Sequence, residues 1–525
     1  MIFRLIRGLA ISICLLIACA VAVAAQDAGQ VLRLSVGYNS LYNTLKDSPK
    51  KDEAMLAKVE SLGKAAREAR QAGKHGEALK HYYHAIALMR GTEWTPERAL
   101  ATALTLKPER AMLEPDQTVS VRVGQLFQLD EKPQGKLAVS LALLRARGDE
   151  PVAVLKLLDS FDLGAPLVAD VTIPSVENGT YRLAIILKPA AQSPSSAGAA
   201  PGPIIKAATI RVERGLARRV AAAKARAEKV ESGLKGSKQP LAHELASAQY
   251  RIGLFDLASA GEIAPERVDF DKELKEAGEE LADLEAGRDP FARRRGDFKK
   301  AYRSQVDGTL QPYRVFVPSS YDGSKPFPLV IALHGMGGDE NSYFDFYKDG
   351  AGENAFKIEA ERHGYIVACP KGREPASMYV GAAERDVIDV LSEVRRAYRI
   401  DLDRIYMTGH SMGGFGTWSV AMNHPDLFAA LAPIAGGGNA QGMSKIAHIP
   451  QLVVHGDADK TVSVENSRAM VEAAKRLNAE VKYMEIRGGD HVGVASLTFK
   501  DVFDWFNTHS RKSARAKTAA GASSN

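Results

Sequence analysis

Residues 404–423 read RIYMTGHSMGGFGTWSVAMN, and this stretch decides the fold. An apolar run, 404–409, leads into Gly409-His410-Ser411-Met412-Gly413, and a helical pattern follows over 412–423. The G-x-S-x-G spacing puts Ser411 on a tight strand-to-helix turn, with its Oγ projecting at the carboxyl edge of a sheet. The flanking glycines are required because the neighbouring turn of chain leaves no room for a Cβ.

Outward from this turn, strand-like runs and helices alternate. Expected strands are 313–318, 328–335, 365–370, 404–409, 428–436, 451–456 and 482–486. The clearest helices are 382–398, 412–423 and 464–477. Several runs are apolar at every position, as strands are when helices cover both faces of a parallel sheet. The expectation is an α/β fold with a mostly parallel sheet of about eight strands, since alternating strands and helices build such sheets.

Three further turns fall where acyl-transfer chemistry needs them. His334-Gly335-Met336-Gly337-Gly338 follows an apolar strand upstream of the serine. In this architecture such a turn aims backbone N–H groups at a tetrahedral intermediate, together with the N–H after the nucleophile. The expected oxyanion donors are therefore the amides of Met336 and Met412. HGDADKTV (455–462) follows a later strand and offers Asp457 and Asp459. Gly488-Gly489-Asp490-His491 follows the last strand. The chain order Ser, Asp, His is that of the hydrolases with a nucleophile elbow, not that of chymotrypsin or subtilisin.

Residues 300–510 resemble secreted α/β-hydrolase esterases of the polyhydroxybutyrate depolymerase and feruloyl or acetyl-xylan esterase kind. They are similar equally to predicted peptidases and phospholipase/carboxylesterases. The resemblance rests on YRIDLDRIYMTGHSMGGFGTWSVAMNHPDLFAALAPIAGGG, YVGAAERDVIDVL and HGDADKTVSVENSRAMVEA, and it does not reach the first 295 residues. Carried over by position, it implies Ser411 as nucleophile, His491 as general base and Asp459 as the acid, leaving Asp457 a structural turn residue. It implies an acyl-enzyme mechanism with no cofactor and no metal. His410 takes the position beside the nucleophile, where its side chain points away from Ser411. Cys369 reads as a buried small apolar residue. Trp418 and Phe415 read as packing against the sheet. Tyr379 and Glu384 fall in a turn and helix start before the elbow, and a role for them in lining the pocket is discounted, since an acid at a helix N-terminus is explained without function.

The N-terminal half carries no recognisable chemistry. Residues 26–112 are expected as a helical hairpin region, since AREARQAGKHGEALKHYYHAIALMRG is similar to one tetratricopeptide unit without a second copy. His81 and His84, three apart, read as surface or core residues without a third ligand. Residues 113–213 form short alternating runs expected as a β-sandwich-like domain, with 190–203 as a hairpin loop. Residues 214–296 return to helix as a connector, 297–510 are the catalytic domain, and 511–525 a disordered basic tail. The half before 296 is expected as scaffold, spacer or a surface for a protein or other partner.

Hydrophobic residues make up 45% and charged residues 25% of the 525, which excludes a mainly disordered chain and a polytopic membrane protein. The net charge of +6 sits at the two ends, on Arg4 and Arg7 and on Arg511, Lys512, Arg515 and Lys517. The body between is neutral, so no nucleic-acid partner is expected. Residues 1–25 read as a signal peptide, with small residues before Gln26 suiting cleavage. Leu16-Ile17-Ala18-Cys19 offers lipidation at Cys19 as a second reading. An uncleaved anchor is a third. All three place the protein outside the cytoplasm, periplasmic or secreted. The leading expectation is an exported serine esterase acting on a small-molecule or polymer ester. The alternatives are a serine peptidase of the prolyl oligopeptidase type, and a scaffold or binding protein with an inactive hydrolase domain.

Overall fold

A computed structural model of the chain describes residues 28–48, 51–131, 133, 137–158, 166–189, 203–234, 236, 241–373 and 376–512. The leader with Cys19, the 190–202 loop and the tail beyond 512 lie outside them. The chain divides into two compact units, Met1–Ala225 with Arg251–Glu276, and Arg226–Tyr250 with Ala277–Asn525. The segment 214–296, expected as a connector, is shared between the two.

The first unit begins with helices α1 (28–46), α2 (Glu53–Gln71), α3 (His75–Met89) and α4 (Pro96–Ala103). Asp52 caps α2, accepting from Met55 N at 3.0 Å, which satisfies one of the amides that a helix start leaves unpaired. Tyr38 of α1 is buried against α2 and donates to Val59 O at 3.2 Å. The His84 ring stacks on Trp94 at 5.1 Å between centroids.

Eight strands follow: β1 (Leu104–Pro108), β2 (Met112–Leu113), β3 (Thr118–Gln125), β4 (Leu137–Arg145), β5 (Pro151–Leu158), β6 (Leu167–Thr172), β7 (Gly179–Pro189) and β8 (Ile204–Val212). β1, and β2 at Met112, fall inside the range 26–112 expected to be helical. They form two sheets, ordered β1-β3-β6 and β2-β8-β7-β4-β5. Alternate residues bring both sheets to one core: Val119, Val121 and Val123 of β3 meet Leu141 and Leu143 of β4 and Leu183 and Ile185 of β7. Then come helices α5 (Leu216–Gly233), α6 (Ala242–Ser259) and α7 (Phe270–Glu285).

The second unit holds the large sheet. Its strands are β9 (Gly296–Arg303), β10 (Leu310–Val317), β11 (Phe327–Leu333), β12 (Ile366–Pro370), β13 (Ile400–His410), β14 (Ala430–Ile434), β15 (Gln451–Gly456) and β16 (Val481–Ile486). They are ordered β16-β15-β14-β13-β11-β12-β10-β9. β9 and β10 pair antiparallel at one edge, and the ladder from β12 through β16 is parallel. β9 is the strand that the sequence pattern did not reveal. It buries Lys300, whose charge is met by Glu244 of α6 at 2.7 Å, so its inward positions are not uniformly apolar.

Helices α8 (Ser342–Asp345), α9 (Ala355–His363), α10 (Ala382–Ala397), α11 (Met412–Asn423), α12 (Glu465–Arg476) and α13 (Gly493–Asn507) complete the unit. β11 is buried at all seven positions because helices cover both of its faces. On one face Leu329, Ile331 and Leu333 join Val390 of α10 and Trp418 of α11. On the other, Val330 and Ala332 join Phe356 of α9 and Phe499 and Phe503 of α13. Cys369 in β12 is buried, and burial pushes its thiol pKa well up. The parallel register aligns the carboxyl ends, with Leu333 beside Gly409 and Gly456 beside Ile486. Loops after β11, β13, β15 and β16 therefore emerge along one sheet edge.

Candidate active site

Ser411 lies between the end of β13 and the start of α11, with φ 59° and ψ −118°. A non-glycine residue rarely adopts such a backbone, and it persists only where the surroundings impose it. The surroundings here are backbone. A Cβ on Gly409 would come within 2.1 Å of Gly413 O, and one on Gly413 within 1.9 Å of Leu333 O. Gly409 lets α11 start directly against β13, and Gly413 lets it lie against β11.

Three sheet-edge loops bring the expected residues together. His491 Nε2 is 2.9 Å from Ser411 Oγ, and its Nδ1 is 2.6 Å from Asp459 Oδ2. The Asp459 side chain is fully buried. Its Oδ1 accepts from Thr461 N at 2.8 Å and Val462 N at 2.9 Å. Burial works to raise the Asp459 pKa, but hydrogen bonds from His455 and His491 outweigh it and hold the carboxyl below its ordinary value. Asp457 does not join this cluster. Its Oδ1 accepts from Gly488 N at 2.6 Å and ties the β15 loop to the β16 loop.

The turn after β11 reaches Ser411 as well. A Cβ on Gly335 would lie 3.4 Å from the Ser411 Cβ, so Met336 is one residue from that contact. The Met412 amide opens α11, a position whose N–H has no acceptor within the helix. The His334 ring holds the turn between two carbonyl oxygens, with Nε2 2.6 Å from Lys371 O and Nδ1 2.8 Å from Gly335 O. Tyr379, fully buried, donates to His334 O at 3.3 Å and packs on Gly416. It therefore braces the turn from behind. Arg373 fixes the same loop by a bidentate pair to Asp386 at 2.6 and 2.9 Å and by Ser304 Oγ at 2.7 Å.

Other residues singled out in the sequence fall elsewhere. Trp418 is core and donates Nε1–H to Gln451 at 2.9 Å. Glu384 binds Asn423 and His424.

Two histidines had no role assigned by sequence. His410 is buried, with Nδ1 2.9 Å from Tyr347 Oη and Nε2 2.6 Å from His491 O. A carbonyl only accepts, so Nε2 carries the proton and Nδ1 accepts from Tyr347. Burial, with His491 nearby, lowers the His410 pKa to about 4. His455 lies on the far side of Asp459, its Nε2 3.2 Å from the same Oδ2 that His491 contacts. The signal was present in HGDADKTV: a histidine four residues before the acid, closing the adjacent strand.

Residues 376–503 match the family model described as PET hydrolase-like. Residues 296–507 carry a mostly parallel eight-stranded sheet covered by helices, the architecture expected of an α/β-hydrolase. The chain is 27% identical over 140 residues to Feruloyl esterase B of Talaromyces stipitatus, covering 25% of this chain and 36% of that one. It is 30% identical over 146 residues to Poly(3-hydroxyalkanoate) depolymerase C of Paucimonas lemoignei, covering 25% of this chain and 32% of that one. The chain thus spans about a third of the length of these relatives, at 36% and 32%. A solved thermostable esterase covers 78% of this chain at 19% identity with a TM-score of 0.37. These relatives carry the names that the resemblance of residues 300–510 implied.

Proposed function

We propose that the α/β-hydrolase domain is a serine hydrolase of carboxylic esters, working through an acyl-enzyme in an exported protein. The observation that carries this reading is the Ser411–His491–Asp459 chain of contacts at 2.9 and 2.6 Å. A serine hydroxyl is a weak nucleophile at neutral pH and needs a base to take its proton during attack. His491 Nε2 is within reach of that proton. Asp459 accepts Nδ1–H, which keeps Nε2 free as acceptor and stabilises the imidazolium once it forms.

Attack on the ester carbonyl places negative charge on its oxygen. The amides of Met336 and Met412 are the donors proposed to receive it, each worth about 3 kcal/mol in comparable sites. Collapse breaks the C–O bond, and the alcohol leaves with the proton from His491. Water then attacks the acyl-serine with His491 again as base, releasing the acid. Export rests on the leader at 1–25, and N-terminal sequencing of the mature protein distinguishes cleavage before Gln26 from lipidation at Cys19.

Hydrolysis of p-nitrophenyl acetate, butyrate and octanoate by the mature chain, beside Ser411→Ala, tests the activity. Turnover by the wild type that vanishes in the variant is expected. A folded wild type no faster than Ser411→Ala on all three esters overturns the esterase reading.

A further inference from the structure

Asp459 Oδ2 receives two imidazoles rather than one. His491 Nδ1 stands 2.6 Å from it and His455 Nε2 3.2 Å. The second contact is built with care. His455 is fully buried at the end of β15, and its Nε2 also lies 3.0 Å from Val462 O. Both neighbours of Nε2 are acceptors, so that nitrogen carries the proton and shares it between Val462 O and Asp459 Oδ2. Nδ1 faces Ser467 Oγ of α12 at 2.7 Å. Ser467 has one hydroxyl hydrogen for two neighbours, this ring and Gly436 O at 3.1 Å. The shorter contact goes to the ring.

We propose that His455 is a positioning residue that tempers the base: by donating Nε2–H to the Asp459 oxygen that also binds His491 Nδ1–H, it draws off part of the negative charge that His491 feels. This rests on the reading of Ser411, His491 and Asp459 as nucleophile, base and acid. With Thr461 N and Val462 N on Oδ1, the carboxylate has three donors of its own and a fourth, His455 Nε2–H, shared with Val462 O. A donor on a carboxylate stabilises its charge, and sharing one oxygen weakens what each partner receives.

Other charged and titratable groups are accounted for. His410, on β13, contacts the His491 ring at 4.9 Å between centroids. Glu485 pairs with His455 across the β15–β16 ladder, but its carboxylate is engaged by Arg468 and Tyr483. Asp490 caps Val492 N and Gly493 N. None of these donates to Asp459 Oδ2.

The test is the pH profile of kcat/KM on p-nitrophenyl butyrate for wild type, His455→Leu and His455→Gln, with Ser411→Ala alongside. Without His455 the full carboxylate charge favours protonated His491, so the acid limb in His455→Leu moves up by about half to one pH unit. The Gln side-chain amide restores a donor and returns the limb toward wild type. A folded His455→Leu enzyme whose limb stays put, or moves down, overturns the proposal. Activity that survives Ser411→Ala defeats the hydrolase reading instead. A measurement on wild type needs no variant to fold: ¹⁵N shifts of labelled histidine are expected to show His455 as the Nε2–H tautomer. Finding the proton on Nδ1 alone overturns the assignment.

Discussion

His410 Nε2 donates to the carbonyl oxygen of His491 at 2.6 Å, so the residue beside Ser411 holds the backbone of His491. The two rings stand 4.9 Å apart between centroids, and Tyr347 fixes the far nitrogen of His410. One side chain thus sets the distance between the loop after β16 and the turn after β13.

This contact has a pH signature. Folding holds His410 neutral, with its pKa lowered from 6.5 to about 4. The unfolded chain binds that proton more readily, so the contribution is fully present above pH 6.5 and is lost as pH falls toward 4. The loss amounts to roughly 3 kcal/mol. His410→Gln keeps a donor for His491 O but does not titrate. Its urea midpoints at pH 7, 5.5 and 4.5 are expected to fall less steeply than those of the wild type.

Asp459→Asn is expected to lower kcat by about 10⁴ with KM little changed, as in comparable triads. Both histidines contact Oδ2 and both backbone amides Oδ1, so the Asn NH₂ faces two N–H donors whichever way it turns, and turned to satisfy Thr461 N and Val462 N it forces His491 into the wrong tautomer. Steady-state kinetics on p-nitrophenyl butyrate measures both constants.

Gly413→Ala and Gly488→Ala separate two reasons for glycine. At Gly413 a Cβ would meet Leu333 O at 1.9 Å. β11 cannot move away from its covered core, so a loss of about 3 kcal/mol or more is expected, with activity abolished. At Gly488 φ is +68° and nothing lies within 4 Å, so the cost is strain alone, about 1 kcal/mol. Thermal melts of the two variants rank them.

Arg373→Met leaves Asp386 buried without its bidentate partner, with only Tyr302 Oη at 2.8 Å remaining. Burial already raises the Asp386 pKa against the pull of Arg373. The variant is expected to lose roughly 3 kcal/mol at pH 7. A carboxyl raised in the folded state gives stability that is present at low pH and lost as pH rises, so the deficit shrinks at pH 5. Denaturant titrations at both values check the sign.

The large sheet of the second unit was largely legible because its grammar is periodic. β10 through β16 and α10, α11 and α12 fall within a few residues of the apolar runs that announce them. The meeting of Ser411, Asp459 and His491 at one sheet edge was legible because each sits in a turn directly after such a run. What escaped was carried by polar burial. β9 hides Lys300 behind Glu244, and His455 and His410 look like turn residues until the partners of each nitrogen are known. α13 was missed although Val494, Phe499, Val502, Phe503 and Phe506 recur at helical spacing and are buried. In the first unit, β1 and β2 were hidden inside a stretch whose helices set the apparent period.

Cys369, sealed inside β12, is the one cysteine between residues 28 and 512. The described fold therefore contains no thiol pair to oxidise and no bridge to reduce. No disulfide among the described residues ties the structure of the second unit to the redox state of its medium. Producing residues 26–525 in an ordinary bacterial cytoplasm calls for neither an oxidase nor a disulfide isomerase for the described residues.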